Sequence, residues 1–251
     1  MVSAGEYRLA LVGEVELIQQ MLGHATAEDL AGESPCAGWS VLDVARHVEI
    51  TPRSVAANLV AHLQGEKAQR NTPLAPTVGL RDVLASLEAG ARSLDEALSQ
   101  LSDETLDGEL PGPVGAMPGR AALDLAQTEL TLHRCDIALG LGYAGDIEPR
   151  TAERIIDVIR AWLLLVAPTS PVPDSPLCYL LSDGAHEWTF HFDGTRWISE
   201  PCDGNLRTIT AEGACGQLAL ALAGRVPIDT AVDRSSDPAE IAKLKIYLPG
   251  P

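Results

Sequence analysis

Glu129-Leu130-Thr131-Leu132-His133-Arg134-Cys135-Asp136 sets a carboxylate and an imidazole four residues apart in a segment with a helical period. On a helix that spacing stacks Glu129 and His133 one turn above the other. The same face carries Ala122, Leu125, Ala126, Leu130 and Ile137, so it is the face that enters a core. A carboxylate and an imidazole there are costly unless something pairs with them.

Far upstream, Pro35-Cys36-Ala37-Gly38-Trp39-Ser40-Val41-Leu42-Asp43-Val44-Ala45-Arg46-His47 brings a second histidine to the edge of another apolar stripe, Val41, Val44, Ala45 and Val48. A divalent metal held by His47, Glu129 and His133 satisfies all three groups. Two histidines and a carboxylate leave positions open on zinc, which is the catalytic type of ligand set and not the closed structural one. Iron(II) accepts a similar triad, so the donors alone do not choose the metal. The alternative is an ion pair of Glu129 with Arg134 or Arg46, with His47 and His133 as half-buried structural imidazoles.

Working outward, the first part of the chain reads as four helices: Tyr7 to Leu22, Ser40 to about Leu63, Leu80 to Leu101, and Arg120 to Leu139. Ser40 is an N-cap with Asp43 in capping-box position, and Gly140 and Gly142 end the fourth helix. The breaks are rich in turn residues: Asn71 to Thr77 holds two prolines, and Pro111 to Gly119 holds three prolines and three glycines. Four such helices fit a four-helix bundle, in which metal sites are built from inward-facing side chains.

A fifth apolar helix, Thr151 to Val166, is followed by the proline-rich stretch Pro168 to Pro176, read as a linker. The period then becomes two. Trp188, Phe190 and Phe192 alternate with Glu187, Thr189 and His191, as a half-buried strand requires, and on this reading His191 faces solvent or the bundle. Ser182-Asp183-Gly184 and Asp193-Gly194 read as hairpin turns. Arg196 to Ser199 and Leu206 to Glu212 complete an antiparallel sheet, and a helix from Cys215 to Ala223 ends at Gly224-Arg225. The fold expected is α+β: a bundle over residues 1–148, then a small α+β domain over 149–251.

Composition narrows the function. The formal net charge is −17, which argues against a nucleic-acid partner and against adhesion to an anionic membrane. An anionic small substrate is compatible with it, because a metal or one arginine can reverse the field locally. Met1 to Ala10 has no signal-peptide pattern, and the apolar run Ala161 to Ala167 is too short to span a bilayer. The five cysteines, Cys36, Cys135, Cys178, Cys202 and Cys215, are odd in number and scattered, which reads as reduced thiols in a cytoplasm. Trp39, just before the N-cap, reads as a staple on the first turn. His24 and His62 fall at helix ends. Cys135 points away from the ligand face, and Cys36 lies in the loop before the second helix, from which it can approach the metal mouth; both read as free, inert thiols.

The pair P-C-x-G-W-S-V-x-D-V-x-x-H and E-L-x-x-H-R-x-D resembles the mycothiol-dependent maleylpyruvate isomerase family, within the wider DinB-like metal-binding four-helix superfamily. The resemblance runs over essentially the whole chain, and the Leu218 to Arg225 ending is similar to the family's small C-terminal domain. It implies zinc on His47, Glu129 and His133, and mycothiol, a low-molecular-weight thiol of actinobacteria, as co-substrate. Asp136, three residues beyond His133, would orient that imidazole. Arg225 would clamp a substrate carboxylate bidentately.

The reaction expected from the resemblance is isomerisation or S-transfer on a small electrophilic, carboxylate-bearing substrate, by a cytoplasmic monomer or weak homodimer. Two other readings keep the metal. One is a thiol-independent zinc hydrolase, cyclase or epimerase of specialised metabolism. The other is a metal-stabilised binding protein that catalyses nothing.

Overall fold

A computed structural model describes residues 2–67, 71–112, 115–166, 171–198, 202 and 206–248, with the side chains of 163–166 left aside. The chain divides into two compact units, Met1–Gly145 and Asp146–Pro251.

In the first unit, α1 (Ala4–His24) starts on a reciprocal capping box between Ser3 and Glu6. It buries Tyr7, Leu11, Val15, Ile18 and Leu22, a stripe at steps of three and four. A short turn, α2 (Ala27–Ala31), leads through a loop to α3 (Val41–Val48) and α4 (Ile50–Leu63). These two occupy the span expected as one helix from Ser40 to Leu63. The Ser40–Asp43 capping box forms, but the helix breaks at Glu49. The cause is Pro52, which has no N–H to donate to Val48 and whose ring crowds that carbonyl. α5 (Leu80–Ser99) packs on both α1 and α4. It does so closely at Gly90, where a Cβ would lie 2.9 Å from the Pro52 ring.

Glu49, at the break, is fully buried. It is satisfied by Arg53 Nη2 at 2.8 Å, the Leu74 amide at 2.9 Å and the Ser86 hydroxyl at 2.5 Å. A buried carboxylate with three donors is tolerated where an unpaired one would not be. Here it ties α4, the α4–α5 connection and α5 to one point.

α6 (Asp103–Leu106) precedes a two-stranded hairpin, β1 (Glu109–Gly112) and β2 (Gly115–Pro118). This forms where only turn residues were expected; residues 113–114 lie outside the described set. α7 (Gly119–Gly140) follows and packs on α1 and α3. It sends Leu123, Ala126, Leu130 and Ile137 into the core. Arg134 Nε bonds Glu14 at 2.6 Å, and Thr131 Oγ1 donates to the same carboxylate at 2.9 Å, fastening α7 to α1.

In the second unit, α8 (Pro149–Val166) buries Ala152, Ile155, Ile156 and Ile159. Of the expected linker, residues 168–170 lie outside the described set, as does Ser199 of the expected third strand. The sheet contains β3 (Leu177–Ser182), β4 (Glu187–Phe192), β5 (Trp197–Ile198), β6 (Arg207–Glu212) and, after α9 (Cys215–Leu222) and α10 (Ile228–Ala231), β7 (Arg234–Ser235). Two short turns, α11 (Pro238–Ile241) and α12 (Leu244–Tyr247), follow.

The strand order is β5-β4-β3-β6-β7. The pairings are antiparallel except β3 with β6, which run parallel with Leu177 opposite Arg207. The fold is therefore α+β, a helical bundle followed by a sheet-bearing unit, with one parallel pair in an otherwise antiparallel sheet. Trp188, Phe190 and Phe192 form the buried row expected of them.

His191 does not face solvent, one of the two placements expected of it. It is only 9% exposed, on the opposite sheet face beside Cys178 and Ile198. Two-sided burial of a strand is invisible to a two-residue period. The cysteines depart from expectation. Cys178 and Cys202 form a disulfide with Cα atoms 6.0 Å apart, a separation that suits the bond, and Cys36, Cys135 and Cys215 are free thiols. Their scatter in sequence concealed a contact made by a strand and a later loop. Among the described residues no helix is long and apolar enough to cross a membrane.

Candidate metal centre

The loop before α3 is wound tightly. Gly38 sits at φ +80, which a side chain would resist, and lets the Trp39 amide return to the Cys36 carbonyl at 3.0 Å. Ser34 N–H donates to the Trp39 carbonyl at 3.0 Å, and Glu33 bridges to Ser40. α3 starts at a fixed point, and His47 falls in its last turn. Glu129 and His133 are one turn apart on α7, as their spacing predicts.

The three side chains converge. Glu129 Oε1 lies 3.0 Å from His47 Nε2 and 3.3 Å from His133 Nε2. The imidazole rings stand edge to face with centroids 4.8 Å apart. One ligand atom from each of the three lies within 4.8 Å of the others. A tetrahedral zinc with bonds of about 2.0–2.2 Å keeps its ligand atoms roughly 3.3 Å apart, so this donor set fits the ion. The side chains of His47 and Glu129 are 44% and 41% exposed and that of His133 is 9% exposed. The cluster is therefore open to solvent on one side, as exchangeable coordination positions require.

The ion-pair alternative does not form. Arg134 goes to Glu14, and Arg46 goes to Asp43 at 3.0 Å and to the Val78 carbonyl at 2.9 and 2.7 Å. Both imidazoles are left directed at Glu129.

Behind the cluster, His133 Nδ1 lies 2.9 Å from Oδ2 of Asp136, which is fully buried. The Cys36 thiol donates to the same oxygen at 3.1 Å. Cys36, His133 and Asp136 thus form a second group of convergent donors that shares His133 with the first.

The charges follow. Burial disfavours the charged forms of both Glu129 and His133, but their mutual contacts outweigh it. Hydrogen bonds from His133 and His47 hold Glu129 well below the usual carboxylate range. Asp136, Cys36 and Glu129 together raise His133 to about 11.

Trp39 was expected only as a staple. Its ring lies 4.9 Å from that of His47, and the residue is 37% exposed at the open side. Sequence put Cys36 in a loop able to approach the metal mouth, but its bond to Asp136, 100 positions later, and the seat of Trp39 against His47 are set by packing. Cys135 is buried and donates to the Gly145 carbonyl, away from the cluster, and His24 and His62 are exposed.

Arg225 belongs to the second unit. It follows Gly224, at φ +77, where α9 ends. Its Nη1 donates to the Ala223 carbonyl at 2.7 Å, and Lys245 Nζ donates to the Leu222 carbonyl at 2.5 Å. Burial, and then the Arg225 charge, lowers Lys245 to about 8.

Residues 13–138, just over half the chain, match the family model described as mycothiol maleylpyruvate isomerase N-terminal domain. That span includes all four of His47, Glu129, His133 and Asp136. Two uncharacterized proteins of Mycobacterium tuberculosis, from strains H37Rv and CDC 1551, are each 26% identical to the chain over 158 residues. The match covers 62% of this chain and 77% of theirs. In overall fold the chain resembles the crystal structures of mycothiol-dependent maleylpyruvate isomerase and of a histidine-to-alanine mutant of it. Each gives a TM-score of 0.63 at 18% identity, covering 93% of this chain and 92% of that one.

Proposed function

The chain belongs to the mycothiol maleylpyruvate isomerase N-terminal domain family, and from that premise we propose that it is a zinc-dependent enzyme using mycothiol to isomerise, or transfer sulfur to, a small electrophilic carboxylate. The observation that carries this reading is the single oxygen Glu129 Oε1 facing the Nε2 atoms of two histidines, with Asp136 behind one of them.

His47, Glu129 and His133 would hold the metal, and Asp136 would keep the His133 proton on Nδ1 so that Nε2 presents its lone pair. When bound, zinc would stabilise thiolate over thiol near neutral pH. The thiolate sulfur would add to one carbon of a double bond conjugated to a carbonyl, and the electron pair would move onto the carbonyl oxygen. Rotation about the resulting single bond, followed by expulsion of the same thiolate, would give the trans isomer with no net change in composition. Retention of the new carbon–sulfur bond, with the enolate taking up a proton from solvent, would give S-transfer. Arg225, oriented by the Ala223 carbonyl, would bind the substrate carboxylate through two parallel N–H donors. The open side of the cluster is where thiol and substrate would enter, past Trp39.

Metal analysis of the native protein and of a Glu129→Ala, His133→Ala variant tests the first half. Close to one zinc per chain is expected, lost in the variant. Turnover of cis-unsaturated keto acids with and without mycothiol tests the second. Activity should require the thiol and disappear in His47→Ala. Failure to take up zinc even on reconstitution, or unchanged turnover in His47→Ala, would defeat the proposal.

A further inference from the structure

We propose that Cys36 is a positioning residue for the metal centre: its thiol holds Asp136 in the orientation that aims His133. The inference rests on the metal reading above and extends it to a residue outside the ligand set.

The centre is made by two elements far apart in sequence. His47 stands on α3, and Glu129 and His133 stand on α7. Its second layer joins the same two elements. Cys36, in the loop that feeds α3, donates to Asp136 of α7 at 3.1 Å. That is the oxygen the His133 Nδ1 proton reaches at 2.9 Å.

An aspartate has one χ1 and one broad, two-fold χ2. The His133 ring follows the way that carboxylate is turned. Two donors on the same oxygen, one from each element, narrow the orientations it can take. The loop is rigid enough to serve as the anchor. The Cys36 amide takes Ser34 Oγ at 3.2 Å, its carbonyl takes the Trp39 amide, and α7 approaches so closely that a Cβ on Gly140 would meet the Glu33 carbonyl at 3.2 Å. Cys36 is half-buried and Asp136 is wholly buried, so water is a poor substitute for the lost donor.

Removing the thiol should therefore weaken the metal without touching a ligand. Partners behind metal-bound histidines contribute about 10–100-fold in affinity, and a donor one bond further out falls at the low end of that range.

The test uses the full chain as Cys36→Ala, Cys36→Ser and Asp136→Asn. Zinc affinity is measured by chelator competition, the cobalt(II) visible spectrum is recorded, and the S–H infrared band is read in the metal-free protein. Cys36→Ala should bind zinc about 10-fold more weakly and shift the cobalt bands, while the metal-free melting temperature stays near the parent's. Cys36→Ser, which keeps a donor in place, should recover most of the affinity. The band lost in Cys36→Ser should lie at hydrogen-bonded frequency in the parent and move up in Asp136→Asn.

Parental zinc affinity in Cys36→Ala alongside a weakened Asp136→Asn would overturn the inference. A parent that takes up no zinc would instead overturn the metal reading. In that case the band decides the positioning role: an Asp136-dependent shift supports it, and an unmoved band ends it.

Discussion

Glu129 and His133 face each other at 3.3 Å with opposite charges, and a divalent cation entering between them must expel a proton from His133. With His133 raised from 6.5 to about 11, the metal-free site is protonated there at neutral pH. Metal uptake therefore releases that proton, and apparent zinc affinity should rise about tenfold per pH unit across the neutral range for each proton released. Titration calorimetry in buffers of different ionisation enthalpy counts the proton directly. A flat dependence on pH would contradict the assignment of His133 as a ligand.

The stability of the metal-free protein moves the other way. A raised histidine contributes stability that is complete below 6.5 and is lost as pH climbs toward 11. A lowered carboxylate contributes above its ordinary value of 4.5 and loses its effect below it. The pair thus supports the metal-free fold best between 4.5 and 6.5. The rise in melting temperature on adding zinc should be small at the acid end of that window and grow toward pH 8.

At the scale of elements, the centre depends on how closely α7 meets α3 and its loop. A methyl at Gly140 would lie 2.6 Å from Val41 Cγ2 and 3.2 Å from the Glu33 carbonyl, and neither the buried valine nor the backbone can easily retreat. Gly140→Ala should destabilise the chain by about 1–3 kcal/mol despite its better helix propensity. Urea unfolding would read this, and zinc affinity should fall with it because α3 carries His47. A neutral or stabilising effect would mean that the two elements are not in contact there.

Most of the elements were readable, because capping boxes, proline and glycine act locally. Ser40 and Asp43 start α3 as their spacing implies, and Gly140 and Gly142 mark the end of α7. The break at Glu49 also had a local cause, Pro52, which a reading of one long apolar stripe passes over. The β1–β2 hairpin lay hidden in a run of prolines and glycines, since turn residues announce a reversal but not the strands on either side.

At the scale of the molecule, one apolar core runs from Ala4 to Ile137 and lies wholly within the first unit. The three candidate ligands and Asp136 lie there too. A fragment of residues 1–145 should accordingly fold cooperatively and take up zinc at one per chain, with circular dichroism and metal analysis as the readouts. It should not turn over substrate if Arg225 acts as proposed. An unfolded or metal-free fragment would show instead that the second unit is required to complete the centre.

Sequence was enough to establish that amphipathic helices precede a strand-bearing region, that Glu129 and His133 share one helical face, and that the chain carries a large negative charge. Those properties depend on neighbours within a few positions or on simple sums. Tertiary structure alone decided that Arg134 and Arg46 turn to other partners, so that Glu129 Oε1 is left between two imidazoles. It also decided that Cys36 reaches Asp136, that Trp39 stands against His47, that His191 is buried, and that Cys178 meets Cys202. Cys36–Asp136 and Cys178–Cys202 are contacts across many residues, and the surroundings of Trp39 and His191 depend on how loops and strands pack. Spacing along the chain says which groups can share a face, but only packing says which groups from different elements come within bonding distance.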